Sequence, residues 1–168
     1  MSVAEVRAYL KKWGRDKDVV ELPQSTATVA LAAAALGVEP ARIAKSLTIS
    51  RKGGPGLLVV ASGDARLDNQ KFRDRFGVSP KMMTPDQARA FTGFSVGGIC
   101  PFGLPPEVEV FLDESLGRFE TVFPACGSAN SMIELSLPDL AEYSRSQGWV
   151  AVCRLLGPLA PDPIAGGH

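Results

Sequence analysis

The segment that decides the fold reads Lys45-Ser46-Leu47-Thr48-Ile49-Ser50-Arg51-Lys52-Gly53-Gly54-Pro55-Gly56-Leu57-Leu58-Val59-Val60-Ala61. Residues 46–50 predict a strand, and the run of basic residues, glycines and a proline at 51–56 predicts a turn. The apolar run 57–61 predicts a buried strand that pairs back on the first. The segment therefore predicts a β-hairpin, with Lys45 at the entrance to its first strand.

Helices are predicted on both sides of this hairpin. Val3, Val6, Leu10 and Trp13 form one apolar stripe, which predicts a first helix that ends at Gly14. The remaining predicted helices cover residues 26–36 (small apolar side chains, closed by Gly37), 67–76, 84–93 (opened by Thr84-Pro85-Asp86-Gln87) and 136–147, with a short helical turn at 40–44.

Short strands are predicted between these helices, without strict strand–helix alternation. They cover residues 18–22, 94–96, 108–113, 119–124, 131–136 and 149–153. This pattern favours an α+β fold, a single domain in which helices surround a mixed, curved, barrel-like sheet. We expect the domain to span residues 1–156 and the Pro/Gly-rich residues 157–168 to form a flexible tail.

The composition excludes several classes of active site. The only histidine among the 168 residues is His168, which argues against a Ser-His-Asp triad, a Cys-His pair and any metal site built on imidazoles. Cys100, Cys126 and Cys153 are odd in number and widely spaced, so neither a disulfide framework nor a structural zinc site is expected. We expect no metal and no cofactor.

The location and the partners are predicted from hydropathy and charge. No apolar run is long enough to span a membrane and no signal peptide is apparent, so we expect a cytoplasmic protein without a membrane partner.

The charge distribution is uneven: residues 42–81 hold nine basic and three acidic side chains, whereas residues 104–147 hold two basic and eight acidic ones. A basic half can guide a polyanion to one face, although solvated helix and strand edges produce the same pattern.

A loop at residues 95–103, Ser95-Val96-Gly97-Gly98-Ile99-Cys100-Pro101-Phe102-Gly103, holds three glycines and a proline. Glycines let another molecule approach the main chain closely, so the loop suits a backbone cradle for a small polar ligand, or else a tight bend between strands.

Lys45 is either a solvated strand end or a fixed ammonium that anchors a carboxyl, ester or phosphate. Ser128 and Asn130, in a second glycine-containing loop, are turn residues or ligand contacts.

Three segments together resemble a known family. They are Leu36-Gly37-Val38-Glu39-Pro40 through Ala44-Lys45-Ser46-Leu47, then Gly97-Gly98-Ile99-Cys100-Pro101-Phe102-Gly103, then Asp113-Glu114-Ser115-Leu116. In this order they resemble the YbaK/EbsC family of aminoacyl-tRNA deacylases, which are relatives of the editing domain inserted in bacterial prolyl-tRNA synthetase. The resemblance covers about residues 26–147.

The resemblance implies hydrolysis of the ester between a wrong amino acid and the 3′ end of a tRNA, typically tRNA(Pro), without a metal. It implies catalytic roles for Lys45 and for the backbone of Gly98, Ile99 and Cys100, which can stabilise a developing oxyanion. The acceptor 3′ end of a mischarged tRNA is the implied partner, with prolyl-tRNA synthetase open as a second one and no role for DNA. The implied substrate-binding residues are Thr28, Gly97, Pro101, Phe102, Gly103, Gly127, Ser128, Asn130 and Met132.

The sequence leaves open which amino acid is edited, and it leaves open two alternatives to the deacylase function. Residues 126–132 depart from the pattern of the cysteinyl-tRNA branch. Met132, Phe102, Ala27, Thr28 and Ala44 are expected to shape a pocket for a small side chain, which leaves alanine, cysteine, 2-aminobutyrate, serine and threonine open. One alternative function is a non-catalytic module that binds tRNA ends or nucleotides and acts with a synthetase. The other is a thiol-dependent hydrolase that uses Cys100 or Cys126, although no histidine is available to activate either thiol.

Overall fold

A computed structural model describes residues 1–156 of the chain. Within this range the structure contains five α-helices and eleven strands, most of them short. In chain order they are α1 (Val3–Leu10), β1 (Val20–Glu21), α2 (Val29–Leu36), β2 (Ile43–Arg51), β3 (Gly54–Ser62), β4 (Ala65–Leu67), α3 (Asn69–Phe76), β5 (Pro80–Met82), α4 (Pro85–Thr92), β6 (Glu109–Asp113), β7 (Thr121–Pro124), β8 (Ser131–Met132), β9 (Leu135–Ser136), α5 (Leu137–Tyr143), β10 (Trp149–Val150) and β11 (Cys153–Leu155).

The predicted hairpin lies at the centre of the main sheet. Strands β2 and β3 pair antiparallel, with Lys45 opposite Ala61. The sheet follows the order β10-β6-β3-β2-β7-β9, and β5 pairs with the far end of β2. Because β3–β6, β2–β7 and β6–β10 are parallel while β2–β3 and β7–β9 are antiparallel, the sheet is mixed, as predicted. It curls into a half-barrel, which confirms the α+β fold.

Strand β3 is buried on both faces. Leu58 and Val60 pack in one apolar cluster with α1 and α5, whereas Leu57 and Val59 pack in a second cluster with α3. A strand covered on both faces needs a continuous apolar run, which is the feature that residues 57–61 show in the sequence. A smaller third cluster joins α2 to the start of β2 through Ile43.

Capping signals determine the start of α4 and the end of α2 as predicted, whereas α2 begins at Val29, after its Thr28 cap, rather than at residue 26. Thr84 and Gln87 form both hydrogen bonds of a capping box at the start of α4. Gly37 ends α2 in the left-handed conformation, which glycine adopts without steric cost.

The structure differs from the predicted elements at several points. Residues 94–96 do not form a strand, because the Phe94 N–H donates to Thr92 Oγ1 and the chain turns there. Strands β4 and β5 were missed, and the predicted strand 131–136 is divided into β8 and β9. Helix α5 ends at Tyr143 rather than at residue 147. The predicted tail at 157–168 lies outside the described residues.

Candidate active site

A cavity of about 290 Å³ opens where the start of β2 meets α2 and two loops. We name residues 95–103 the cradle loop and residues 126–131 the second loop. Of the predicted site residues, the structure brings five to this cavity: Thr28, Lys45, Gly97, Ile99 and Met132. The other lining residues are Thr26, Ala27, Val29, Ala32, Ile43, Ala44, Ser46, Leu47, Val96 and Ala125. Lys45 and two predicted residues of the cradle loop, Gly97 and Ile99, therefore share one site.

Lys45 is fixed by the main chain of the turn after β3. Its Nζ donates to the carbonyl oxygen of Gly63 at 3.4 Å and to the carbonyl oxygen of Ala65. Burial is the main cause that lowers the pKa of Lys45, and the positive charge of Arg66 lowers it further, against the opposing effects of Cys153 and Asp64. An ammonium has three N–H donors, so two carbonyl partners leave one donor for a ligand.

The cradle loop approaches the backbone of the second loop closely at Gly98. A Cβ at Gly98 would lie 2.7 Å from the Ser128 nitrogen and 2.8 Å from the Gly127 carbonyl carbon, so only glycine allows this approach. Gly97 has φ +97° and lies beside Ala27. The Gly98 N–H donates to the Ser95 carbonyl at 3.0 Å, so this predicted oxyanion donor already has a partner within the loop.

The end of the cradle loop is directed into the protein. Pro101 is buried, and Phe102 is fully buried in the core cluster that includes α1. Gly103 packs beside Tyr9, and with Phe102 it lines a separate cavity next to α1. The structure does not bring Pro101, Phe102 or Gly103 to the Lys45 cavity, because the aromatic side chain fills the core instead.

The polar residues of the second loop hold the chain rather than line the cavity. Asn130 Nδ2 donates to the Leu22 carbonyl at 2.9 Å, and the Leu22 N–H donates back to the Asn130 carbonyl at 2.8 Å. Ser128 Oγ lies 2.8 Å from both Asn130 Oδ1 and Ser131 Oγ. Gly127, with φ +99°, lies against Ser2 of the N-terminal segment. None of Gly127, Ser128 and Asn130 is among the cavity-lining residues of the described chain.

Two hydroxyl groups on the cavity wall were missed in the sequence. Thr26 Oγ1 and Ser46 Oγ are buried, and within residues 1–156 neither has a hydrogen-bond partner. Leaving a buried hydroxyl unpaired costs about 1–3 kcal/mol, so such groups call for an explanation. A polar ligand in the cavity would pair with either hydroxyl once its side chain rotates toward the opening. Ser46 follows Lys45 directly, and that adjacency is the only sequence signal that could have drawn attention to it.

Met132 separates this cavity from a second one. It is 2% exposed and lines both the Lys45 cavity and a neighbouring space of about 340 Å³ beside Arg15 and Glu134. The thioether of methionine is flexible and fills irregular space, so this wall can adapt to a ligand.

The cysteines lack the properties of nucleophiles. Cys100 and Cys126 are fully buried. Burial raises the pKa of Cys100 to about 12 and raises the pKa of Cys126 well above its ordinary value. A catalytic cysteine needs an accessible thiolate at neutral pH, so the structure argues against the thiol-dependent hydrolase.

Cys100→Ala and Cys126→Ala are expected to hydrolyse a mischarged tRNA as fast as the wild-type protein, within a factor of about two. Each variant should lose about 1 kcal/mol of stability, because removing a buried sulfur leaves a small void. Single-turnover deacylation assays and thermal unfolding measure the two effects. Loss of hydrolysis in a variant that still melts cooperatively would restore the thiol to the mechanism.

The described chain offers no evident metal centre or membrane segment. Within residues 1–156, no group of three or more His, Cys, Asp or Glu side chains is placed to hold a metal ion. No helix in the same range has the length and the hydropathy to cross a membrane.

Comparison with known proteins identifies the class of this domain. A family model described as "Aminoacyl-tRNA editing domain" matches residues 23–143. The protein YwhH of Bacillus subtilis, named as uncharacterized, is 49% identical over 92% of this chain and 98% of its own length. A protein of Enterococcus faecalis named "Putative Cys-tRNA(Pro)/Cys-tRNA(Cys) deacylase EbsC" is 30% identical over 68% of this chain and 71% of its own length.

Comparison with a solved structure leads to the same family. It is described as a "putative trans-editing enzyme for prolyl tRNA synthetase", and it superposes with a TM-score of 0.80 at 31% identity, covering 92% of this chain and 97% of that one. Sequence and fold thus define an aminoacyl-tRNA editing domain. The chain belongs to the aminoacyl-tRNA editing domain family, in agreement with the YbaK/EbsC resemblance, and this membership supports a deacylase function.

Proposed function

We propose that this protein hydrolyses the ester of a mischarged tRNA(Pro) that carries a small wrong amino acid, without the help of a metal ion. The observation that carries the proposal is the cavity in which Lys45 has one remaining N–H donor and two buried hydroxyls, Thr26 and Ser46, have no partner within residues 1–156. An aminoacyl ester with its adjacent ribose offers several oxygen atoms and an amine that can satisfy such groups.

Hydrolysis requires only modest catalysis, because an aminoacyl ester is already activated. In our proposal the Lys45 ammonium donates to the ester carbonyl oxygen and stabilises the negative charge that develops when a water oxygen attacks the carbonyl carbon. The bond to the ribose oxygen then breaks, and the proton of the attacking water passes to that oxygen through the neighbouring ribose hydroxyl. The carbonyl groups of Gly63 and Ala65 hold Lys45 in position for this step.

The walls of the cavity favour a small amino acid. Ala27, Ala44 and Met132 leave room for a short side chain beside Lys45. One methylene group changes binding in such a pocket by only about 1–3 kcal/mol, so alanine, cysteine, 2-aminobutyrate, serine and threonine all remain candidates. Prolyl-tRNA synthetase is the proposed protein partner, since the superposed structure is described by its relation to that enzyme.

A deacylation screen tests the proposed function. Purified protein is mixed with alanyl-, cysteinyl-, seryl- and threonyl-tRNA(Pro), and with correctly charged prolyl-tRNA(Pro) as the control. We expect rapid hydrolysis of at least one mischarged substrate and survival of prolyl-tRNA(Pro). If all mischarged substrates survive while tRNA still binds in a salt-dependent manner, the protein is a tRNA-end binding module instead.

A further inference from the structure

Lys45 is held in the cavity by a short turn of the main chain. Strand β3 ends at Ser62 and β4 begins at Ala65, so Gly63 and Asp64 form the turn between them. Within residues 1–156, both hydrogen bonds of the Lys45 ammonium are to carbonyl oxygens of this turn, those of Gly63 and Ala65. Because neither acceptor belongs to a side chain, the ammonium keeps its position only if the main chain does. We name residues 62–65 the lysine turn.

Arg118 binds the side chains of the lysine turn. Its two terminal nitrogens donate to the two carboxylate oxygens of Asp64, Nη1 to Oδ2 at 2.9 Å and Nη2 to Oδ1 at 2.5 Å. This is the bidentate geometry in which a guanidinium fixes the orientation of a carboxylate. Nη2 also donates to the Oγ of Ser62 at 2.9 Å. One guanidinium therefore contacts two of the residues of the lysine turn.

Arg118 is itself held on its other side. Its Nε donates to the carbonyl oxygen of Ser115 at 2.9 Å, and the Oγ of Ser115 accepts the N–H of Ser62 at 3.1 Å. The N–H of Ser115 donates to the carboxylate of Asp113, which is 1% exposed. The lysine turn is therefore tied, through Arg118 and Ser115, to the buried end of β6.

The Arg118–Asp64 pair is better suited to positioning than to stabilising the fold. The two side chains are 35% and 29% exposed, and ion pairs that water reaches contribute little to folding stability. Two parallel hydrogen bonds nevertheless restrict the direction of the carboxylate strongly. Removing the contact should therefore disturb the lysine turn more than it destabilises the whole domain.

We propose that Arg118 is a positioning residue for the reaction: it holds Asp64 and Ser62, and thereby fixes the two carbonyls that direct the Lys45 ammonium at the ester. The inference rests on the proposed function for the catalytic role of Lys45. It extends the site to a side chain that is not among the cavity-lining residues of the described chain. A misplacement of about 1 Å can cost a reacting group about 100-fold in rate, so a residue that acts only through a turn can affect catalysis.

Chemical labelling of the lysines tests the contact without relying on catalysis. The protein is treated with an N-hydroxysuccinimide ester, and mass spectrometry follows acylation of Lys45 relative to the exposed Lys81 in the same sample. Arg118→Gln should raise the relative labelling rate of Lys45 about fivefold, because a relaxed turn releases the amine to solvent. Asp64→Asn breaks the same contact from the other side and should give the same increase, so it carries the test if Arg118→Gln does not fold.

Arg51→Gln is the matched control for the loss of a paired arginine. Arg51 also contacts a carboxylate, that of Glu109 at 3.1 Å, but it lies at the opposite end of β2 from Lys45. We expect this variant to label Lys45 at the wild-type rate. Arg118→Lys keeps the charge without the bidentate contact, so it should recover only part of the wild-type behaviour.

A double-mutant cycle then connects the contact to the reaction. Arg118→Gln alone should lower the single-turnover rate about 10- to 100-fold, with little change in tRNA affinity. In the Lys45→Met background the same substitution should cost less than about twofold, because the group that it positions is absent. A purely structural role would lower the rate equally in both backgrounds.

Two results would overturn the proposal: labelling of Lys45 in Arg118→Gln and Asp64→Asn no faster than in Arg51→Gln, or equal rate losses in the two backgrounds of the cycle. If labelling rises as expected but the wild-type protein hydrolyses no mischarged tRNA, Arg118 still positions Lys45 and the proposed function fails.

Discussion

Lys45→Met is expected to lower the rate of hydrolysis of the mischarged tRNA by about 100- to 1000-fold, the loss typical of removing one oxyanion donor. Methionine keeps most of the aliphatic stem of Lys45, so the packing of the strand is preserved. Because burial disfavours the charged form of Lys45, removing the charge also removes a desolvation cost, and we expect a folded variant. Single-turnover rates at saturating enzyme measure the chemical step.

Lys81→Met is the control for the loss of one lysine. Lys81 is exposed on β5, opposite Ser50 and five residues along β2 from Lys45. Its rate should match that of the wild-type protein, and both variants should give the same circular dichroism spectrum. A Lys45→Met rate within threefold of the Lys81→Met rate would remove Lys45 from the catalytic step.

Gly98→Ala is expected to lower the free energy of unfolding by about 1–3 kcal/mol and to abolish most of the hydrolytic activity. The added methyl group would meet the Ser128 nitrogen at 2.7 Å and the Gly127 carbonyl carbon at 2.8 Å, and neither is the end of a flexible side chain. The cradle loop and the second loop must therefore move apart. Urea unfolding measures the stability, and the deacylation assay measures the activity.

Gly117→Ala is the matched control for this substitution. A Cβ at Gly117 would have no atom within 4 Å, and Gly117 lies in a 3-10 helical turn at Glu114–Arg118. We expect a change in stability of less than about 0.5 kcal/mol and full activity. If Gly98→Ala behaves like Gly117→Ala, the two loops do not depend on close backbone contact.

The parts of the fold that follow from local signals were predictable. The capping box at Thr84 and the left-handed Gly37 are determined by residues within one helical turn, and the continuous apolar run at 57–61 marks a strand buried on both faces. Strands β4 and β5 have three residues each, so neither offers enough alternation to be recognised. Their pairing is determined by distant partners on β11 and β2, which no local pattern contains.

Part of the candidate site was predictable because some of its residues belong to local sequence motifs. Lys45, Gly97 and Ile99 come from motifs, and the structure places all three on one cavity. Phe102 belongs to the same motif but fills the core, and sequence alone does not distinguish an aromatic ring in a pocket from one beneath it. That the hydroxyls of Thr26 and Ser46 have no hydrogen-bond partner within residues 1–156 depends on every neighbour in space, so it appears only in the folded chain.

The three buried thiols have a practical consequence, because each lies in a different segment of the fold. Cys100 lies in the cradle loop, Cys126 in the second loop and Cys153 on β11. A labelling reagent reaches a buried thiol only when its segment opens, so the labelling rate measures the free energy of that local opening. The unmodified chain thus carries three built-in reporters. With tRNA present, a slower labelling rate at one cysteine would show that bound tRNA stabilises the segment that carries it.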